Sequence, residues 1–280
     1  MKKLRIGIQG ITAAFHDIAA QNYFNSTPIE TIKFRDFSQL SEAVANKQVD
    51  YAVMAIENTI GGSILPNYAF IQEYGLAVLG EEYLKISMQL MALQGETLDT
   101  IQEVISHSMA LRQCADFLRD YPEWKISEAN DTAESARYIS ENRLEGVAAI
   151  AGSLAASTYG LEIISSNIET NKQNYTRFLV LGKNGENHID ECDKASIRMV
   201  LAHEPGALSR SLHVLDEYRL NLTKIQSVPI LGKPYEYAIH FDVEFADHHV
   251  FKAAMTQIVR LTNECKVMGI YKKGKTPVVV

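Results

Sequence analysis

Asp50-Tyr51-Ala52-Val53-Met54-Ala55-Ile56-Glu57-Asn58-Thr59-Ile60-Gly61-Gly62 is the stretch on which the fold class turns. Its apolar run does not alternate with polar residues, so it reads as a strand covered on both faces, the habit of parallel sheets. The run stops at a carboxylate, an amide and a hydroxyl, followed by two glycines that permit close backbone approach. Outward from it, Leu4 to Ile8 is a similar run, followed by Gly10 and a helical pattern carrying Phe15, Ile18, Ala19 and Tyr23. Glu103 to Ile105 and Gly146 to Ala151 repeat the scheme. Apolar strands that alternate with helical patterns predict an α/β fold with mainly parallel pairing up to about Gly182.

The pattern changes after the polar, turn-forming Lys183-Asn184-Gly185-Glu186-Asn187. Ser196 to Ala202 reads as a strand, Glu204-Pro205-Gly206 opens a helix with Leu208, Leu212 and Leu215, and Leu222 to Val228 is a second strand. Tyr235, Tyr237, Ile239, Phe241, Val243 and Phe245 then alternate strictly, which predicts a strand with one buried face. A helix over about 247–263 and a strand over 265–271 complete a βαββαβ order, which is ferredoxin-like. The expected division is 1–187, 194–272 and a tail over 273–280.

Composition narrows the function. The 280 residues carry 46% hydrophobic and 22% charged side chains, which fits a globular protein with a sizeable core. With 27 Lys and Arg against 34 Asp and Glu, the formal charge of −7 repels phosphate backbones, so no nucleic-acid partner is expected. No apolar run approaches the ~20 residues of a membrane span, and no leader pattern follows Met1. Three dispersed cysteines suit a reducing, cytoplasmic setting. There is no metal-ligand spacing, nucleophile elbow or Walker loop, and Gly7-Ile8-Gln9-Gly10 lacks the third glycine of a dinucleotide fingerprint.

What remains are strand exits. Gln9-Gly10, Glu57 to Gly62, Ser106-His107 and Gly152-Ser153 each leave a strand and enter a helix, and in parallel sheets such exits share the ligand-binding edge. Helix N-termini there suit carboxylates. The segment Glu57 to Gly62 reads equally as a binding loop or a capping loop. Ser106 reads as an N-cap, and Thr176-Arg177 at a strand start offers a hydroxyl and a carboxylate clamp, or an ordinary solvated pair.

Together these pieces resemble the prephenate dehydratase family with a C-terminal ACT domain. Ala55 to Ile64 resembles that family's Pro-Val-Glu-Asn-Ser-x-x-Gly-x-Val. Ser106-His107 through Gln113-Cys114 is similar to its Ser-His-x-x-Ala-Leu-x-Gln-Cys, Asp131-Thr132-Ala133 to its Asp-Thr-Ala, and Asn174-x-Thr176-Arg177-Phe178 to its Asn-x-Thr-Arg-Phe. Gly206-Ala207-Leu208 and Asn221-Leu222-Thr223-Lys224-Ile225 resemble the ACT ligand loops.

The resemblance implies a catalytic part of two α/β lobes, like periplasmic binding proteins, followed by the ACT unit. It implies loss of water and carbon dioxide from prephenate to give phenylpyruvate for L-phenylalanine biosynthesis. Aromatisation drives the reaction, with no metal or organic cofactor. Thr176 would be the essential hydroxyl, with Glu57 or water relaying the proton, Arg177 and helix N-termini holding carboxylates, and Asn58 and Ser106 orienting substrate. Thr12, Thr59, Gly61, His107, Asn174 and Phe178 would line the substrate. L-Phenylalanine would inhibit by binding at Gly206, Ala207, Leu208, Asn221 and Leu222 between ACT units of a homodimer or homotetramer that also pairs its catalytic domains. Five positions depart from the pattern: Ala13 and Ala14 replace a glycine and a hydroxyl residue in the first loop, Thr170 stands where the family prefers Asp or Asn, and Gln226 and Val228 in Gln226-Ser227-Val228-Pro229 replace the Glu and Arg of Glu-Ser-Arg-Pro. The alternatives are a non-catalytic two-lobed ligand binder joined to an amino-acid sensor, and an arogenate dehydratase. Nothing before Leu4 resembles a mutase segment, so a fused mutase is not expected.

Overall fold

A computed structural model of the chain describes residues 3–183, 191–230 and 232–275. The expected break lies, beyond Lys183, outside the described residues, as does the tail beyond 275.

The first lobe runs β1 (Leu4–Gln9), α1 (Phe15–Tyr23), β2 (Ile29–Phe34), α2 (Phe37–Ala45), β3 (Tyr51–Asn58), β4 (Gly62–Ser63), α3 (Leu65–Glu73) and β5 (Ala77–Lys85). The second holds β6 (Gln89–Ala92), β7 (Glu103–His107), α4 (Ser108–Gln113), α5 (Ala115–Arg119), β8 (Lys125–Ala129), α6 (Thr132–Asn142), β9 (Val147–Ala151), α7 (Ser153–Tyr159) and β10 (Glu162–Ser165). The chain then returns to the first lobe as β11 (Tyr175–Gly182). The sheets are β2-β1-β3-β11-β5, with β4 beside β3, and β10-β6-β9-β7-β8. β1, β2 and β3 are parallel, as are β7, β8 and β9, whereas β11, β5, β6 and β10 run antiparallel to their neighbours.

Two crossings join the lobes, and they bond to each other. Ile86 N–H donates to Asn174 O at 2.8 Å, Met88 N–H to the buried Glu169 carboxylate at 2.8 Å, and Ile168 N–H to Met88 O at 2.9 Å. This is the two-lobed α/β architecture of the periplasmic-binding-protein kind, with the cleft between the lobes.

The second domain runs β12 (Lys194–Val200), α8 (Ala207–Glu217), β13 (Asn221–Pro229), β14 (Tyr237–Glu244), α9 (His248–Arg260) and β15 (Glu264–Tyr271), in sheet order β13-β14-β12-β15. That is the βαββαβ ferredoxin-like arrangement. Ile239, Phe241, Val243 and Phe245 pack under the two helices, as the alternation predicts, but Tyr235 and Tyr237 of the same series are exposed, because Tyr235 precedes the strand and Tyr237 is its first residue. The opposite face does not meet solvent. His240 is 7% exposed and Asp242 5%, because that face docks onto the first lobe. β15 approaches β5 so closely that a Cβ on Gly269 would lie 1.9 Å from Val78 O. The sheet face opposite the helices, which the alternation leaves polar, is thus covered within the chain.

Candidate active site

A cleft of about 440 Å³ opens between the lobes, against the carboxyl ends of β1, β3, β7 and β8. Thr176 and Phe178 reach it from β11, Asn58 from β3, Gly61 and Gly62 from the following loop, and His107 and Gln113 from the two ends of α4. Ala14, Phe15 and His16 enter at the start of α1, Arg35 and Asp36 before α2, and Asn130 to Thr132 before α6. Gly152, one of the expected exits, instead packs against Phe15: a Cβ there would meet that ring at 3.1 Å.

A relay of amides holds the Thr176 hydroxyl. Asn58 Nδ2 donates to Thr176 Oγ1 at 3.0 Å and to Asn174 Oδ1 at 2.7 Å. Asn58 Oδ1 accepts from the Ile60 and Gly61 N–H groups at 2.9 and 2.7 Å, which fixes its flip. Asn174 Nδ2 in turn donates to Gln113 Oε1 of the second lobe at 2.9 Å. Because Thr176 Oγ1 accepts from Asn58, its own proton is left to donate into the cleft.

Several expected site residues are elsewhere. Along β11 successive side chains face opposite ways, so with Thr176 and Phe178 on the cleft, Arg177 points to the rear, where it is 2% exposed. Glu57 also points to the rear. The β3/β11 register slips between Arg177 and Phe178, a bulge that puts Ile56 and Glu57 on one face and brings Asn58 round to the cleft. Neither Glu57 nor Arg177 is placed to touch a substrate there.

Ser106 is fully buried and donates to Ile150 O at 2.6 Å. The N-cap of α4 is His107, whose Nδ1 accepts from Met109 N–H at 3.2 Å. Thr59 donates to Gln173 O at 2.8 Å and accepts from Tyr175 N–H at 2.9 Å, which ties the loop to β11 outside the cleft lining. Thr12 does not line the cleft, and its carbonyl accepts from Tyr159 OH at 2.7 Å. Asn174 acts on the cleft through Asn58 and Gln113.

His16, Arg35, Gln113 and Asp131 line the cleft without having been singled out as site residues. The last two stood inside quoted motifs; the first two carry no local signal. His16 packs edge-on against Phe178 with ring centroids 5.0 Å apart, and its Nε2 accepts from Ala55 N–H at 3.3 Å. Burial lowers its pKa to about 4, so it is neutral near pH 7. Asp131 caps α6, accepting from Glu134 N–H at 2.9 Å, and burial raises its carboxyl above the ordinary range. The N-cap residue of α1, Ala14, makes no side-chain cap, while the buried Asp17 carboxylate in the first turn accepts from Ala13 N–H at 2.9 Å. Ala13, which stands where a glycine was expected, adopts φ of 66°, a left-handed conformation that accounts for the glycine in the resembling pattern.

The family model for prephenate dehydratase matches residues 6–186. The bifunctional chorismate mutase/prephenate dehydratase of Escherichia coli K12 is 30% identical over 271 residues, covering 95% of this chain and 70% of that one. The chloroplastic arogenate dehydratase/prephenate dehydratase 2 of Arabidopsis thaliana is 32% identical over 290 residues, covering 98% and 74%. The chain belongs to the prephenate dehydratase family. The fold agrees: the Arthrobacter aurescens prephenate dehydratase in complex with L-Phe superposes with a TM-score of 0.85 at 24% identity, over 99% of this chain and 93% of that one.

Behind its cleft the chain carries a buried ionic network that joins its two domains. Arg177 Nε donates to Glu81 at 2.7 Å, Nη1 to Glu57 at 3.1 Å, and Nη2 to Tyr271 OH at 3.1 Å, while Nη1 lies 2.6 Å from Asp242. Lys194 donates to both Glu81 oxygens at 2.9 and 3.1 Å, and Lys224 pairs with Glu57. β3, β5 and β11 supply half of this cluster and the second domain the other half. Burial works against the Asp242 carboxylate, yet the Arg177 guanidinium beside it holds its pKa below the usual range.

In the second domain, Gly206, Ala207 and Leu208 line a shallow depression at the start of α8, with Gly206 at φ of 80°. Asn221 and Leu222 stand outside that depression at the head of β13, with Leu222 packed on the core beneath the helices.

Two imidazoles, the buried His240 and the half-buried His16, predict the chain's stability in acid. His240 packs on Tyr68 with ring centroids 4.8 Å apart. Burial first, then Arg198, lowers its pKa to about 4, the value His16 also has. Each takes its proton at lower pH in the folded chain than in the unfolded one, so acidification from about 6.5 to about 4 favours unfolding. The cost reaches on the order of 3 kcal/mol per histidine at the acid end, partly offset by Asp131 and Glu82, whose raised carboxyls act in the opposite sense. Urea midpoints at pH 7 and 4.5 check this: His240→Gln should flatten the decline, and an unchanged slope would reject it.

Proposed function

We propose that the chain is a prephenate dehydratase that converts prephenate to phenylpyruvate for L-phenylalanine synthesis in the cytoplasm, and that L-phenylalanine restrains it. The observation that carries the reading is the Thr176 hydroxyl, which lines a two-lobed cleft and accepts from Asn58, so that its own proton remains for donation. Prephenate dianion takes up one proton and leaves as phenylpyruvate monoanion, carbon dioxide and water. The ring carboxylate's C–C bond breaks, its electrons enter the ring, and the ring C–O bond breaks as hydroxide departs. Thr176 stabilises the departing oxygen by hydrogen bonding, a duty for a preorganised donor. Arg35 and the uncapped start of α1 provide for the two carboxylates. Asp131, a carboxyl of the cleft lining, is the candidate group to pass that proton from solvent.

The docked sheet face leaves edge strand β13 for pairing with a second copy, which would bring another chain to Asn221 and Leu222 beside the Gly206 turn. Inhibition then acts through different affinities of two states for phenylalanine. The reading is tested with purified chain and prephenate, and with arogenate in parallel, phenylpyruvate and phenylalanine being measured, with and without millimolar phenylalanine. Turnover of prephenate that phenylalanine suppresses is the expected result. Arogenate as the better substrate would move the chain to its plant relatives' chemistry. Turnover of neither would leave a ligand-binding regulator.

A further inference from the structure

The Thr176:Asn58 pair is the last rung of the β3/β11 ladder, and a bulge at Ile56 separates it and its neighbour from the continuous register. Beyond a bulge the strand end is free to bend and twist on its own; the Asn58 amide is fixed by Asn174, Tyr175 and the Ile60 and Gly61 N–H groups, and the backbone segment that carries it by contacts on two sides. On one side these are the two residues of β4. On the other is Glu57, whose carboxylate is shared between Arg177 and Lys224. Arg177 is also engaged by Glu81 and Asp242. Lys224 comes from β13 of the second domain; its side chain is 9% exposed, and its ammonium lies 5.4 Å above the Tyr68 ring.

We propose that Lys224 is a positioning residue for the reaction: by gripping Glu57 from the second domain, it sets how the adjoining Asn58 presents its amide to Thr176. The grip is specific in geometry. Glu57 and Asn58 are consecutive and face opposite ways, so a shift of the Glu57 carboxylate turns the same backbone segment that carries the Asn58 amide. Without Lys224, Glu57 keeps only a share of Arg177 and, being half-buried, turns towards water. The catalytic rung is therefore completed by a residue outside the catalytic domain. Lys224 also lies three residues from Asn221 on one strand, so a ligand that displaces the head of β13 changes the rung, and by linkage the state of the rung changes that ligand's affinity.

The inference rests on the proposed reaction for its kinetic arm only. Full-length Lys224→Met should fold as the parent by circular dichroism, lose about tenfold in kcat and keep its prephenate KM within about twofold, the split expected when only transition-state alignment is lost. Lys224→Arg should recover most of the loss. Lys224→Met combined with Glu57→Gln should be no slower than Glu57→Gln alone, since both changes break one link. Amide exchange in 54–63 should quicken in Lys224→Met. Parental kcat, losses that multiply in the double variant, or a lowered melting temperature with intact kcat would each overturn the proposal. If the parent chain turns over neither prephenate nor arogenate, the reaction is rejected and exchange in 54–63 still decides the positioning role, unchanged exchange rejecting it.

Discussion

Thr176→Ala is expected to lower kcat by at least ~10²-fold, the scale of a lost transition-state donor, with little change in KM. The hydroxyl is one small group at the start of β11, and the strand's ladders to β3 and β5 do not use it. Its loss frees Asn58 Nδ2 of one acceptor, but that nitrogen still donates to Asn174 Oδ1 at 2.7 Å and Tyr175 O at 3.2 Å, so the amide relay stays in place. On the proposed reading the substrate carboxylates are held elsewhere, at Arg35 and the start of α1, so ground-state binding is expected to survive while stabilisation of the departing oxygen is lost. Thr176→Ser keeps the donor and should stay within about tenfold of the parent, a cost set by a freer rotamer. Steady-state kinetics on prephenate check both variants. Near-parental kcat in Thr176→Ala would remove this residue from the chemistry.

Arg177→Leu should cost about 3–5 kcal/mol of stability, the usual penalty for stripping one partner from a buried charge cluster. Three cations, Arg177, Lys194 and Lys224, face three carboxylates, Glu57, Glu81 and Asp242. Removing the guanidinium leaves a buried excess of negative charge centred on Asp242 and Glu81, and also takes a donor from Tyr271 OH. Arg177→Lys should repair little, because one ammonium cannot reach partners on four strands as a planar fork does. The deficit should shrink as pH falls through the carboxylate range, since the orphaned acids then take up protons and become neutral. Urea midpoints of parent and variant from pH 7 down to 4.5 measure this. A loss below ~1 kcal/mol, or a deficit that grows on acidification, would show that the cluster adds nothing to the docking of the domains.

Local signals reached a long way into this molecule. The unbroken apolar run at Tyr51 to Ile56 and its counterparts placed buried strands in an α/β first part, because a strand covered on both faces has no position for a polar side chain. The strict alternation from Tyr235 to Phe245 placed Ile239, Phe241, Val243 and Phe245 beneath helices, because the pleat has a period of two, and failed only at Tyr235 and Tyr237, before and at the strand's first residue. The same period made it legible that Thr176 and Arg177 cannot both face one cleft. It was the chemistry of Arg177, attractive for a carboxylate, that placed it there in the sequence reading.

What the tertiary structure alone decided lies where two segments meet. The bulge that turns Glu57 away and Asn58 inward depends on how β3 registers against β11, about 120 residues later, and no local pattern encodes that pairing. His240 and Asp242 read as a solvated face because polar residues opposite an apolar face usually meet water. They are buried because Arg177 and Tyr68, far off in the chain, supply the contacts that make burial tolerable. His16 and Arg35 joined the cleft for the same reason: a neutral half-buried imidazole and a rim guanidinium look like any helix or loop residue until the fold brings Phe178 and Asp131 to the same cleft. Periodicity reports which side of its own element a residue takes, and only the packed chain determines what stands opposite.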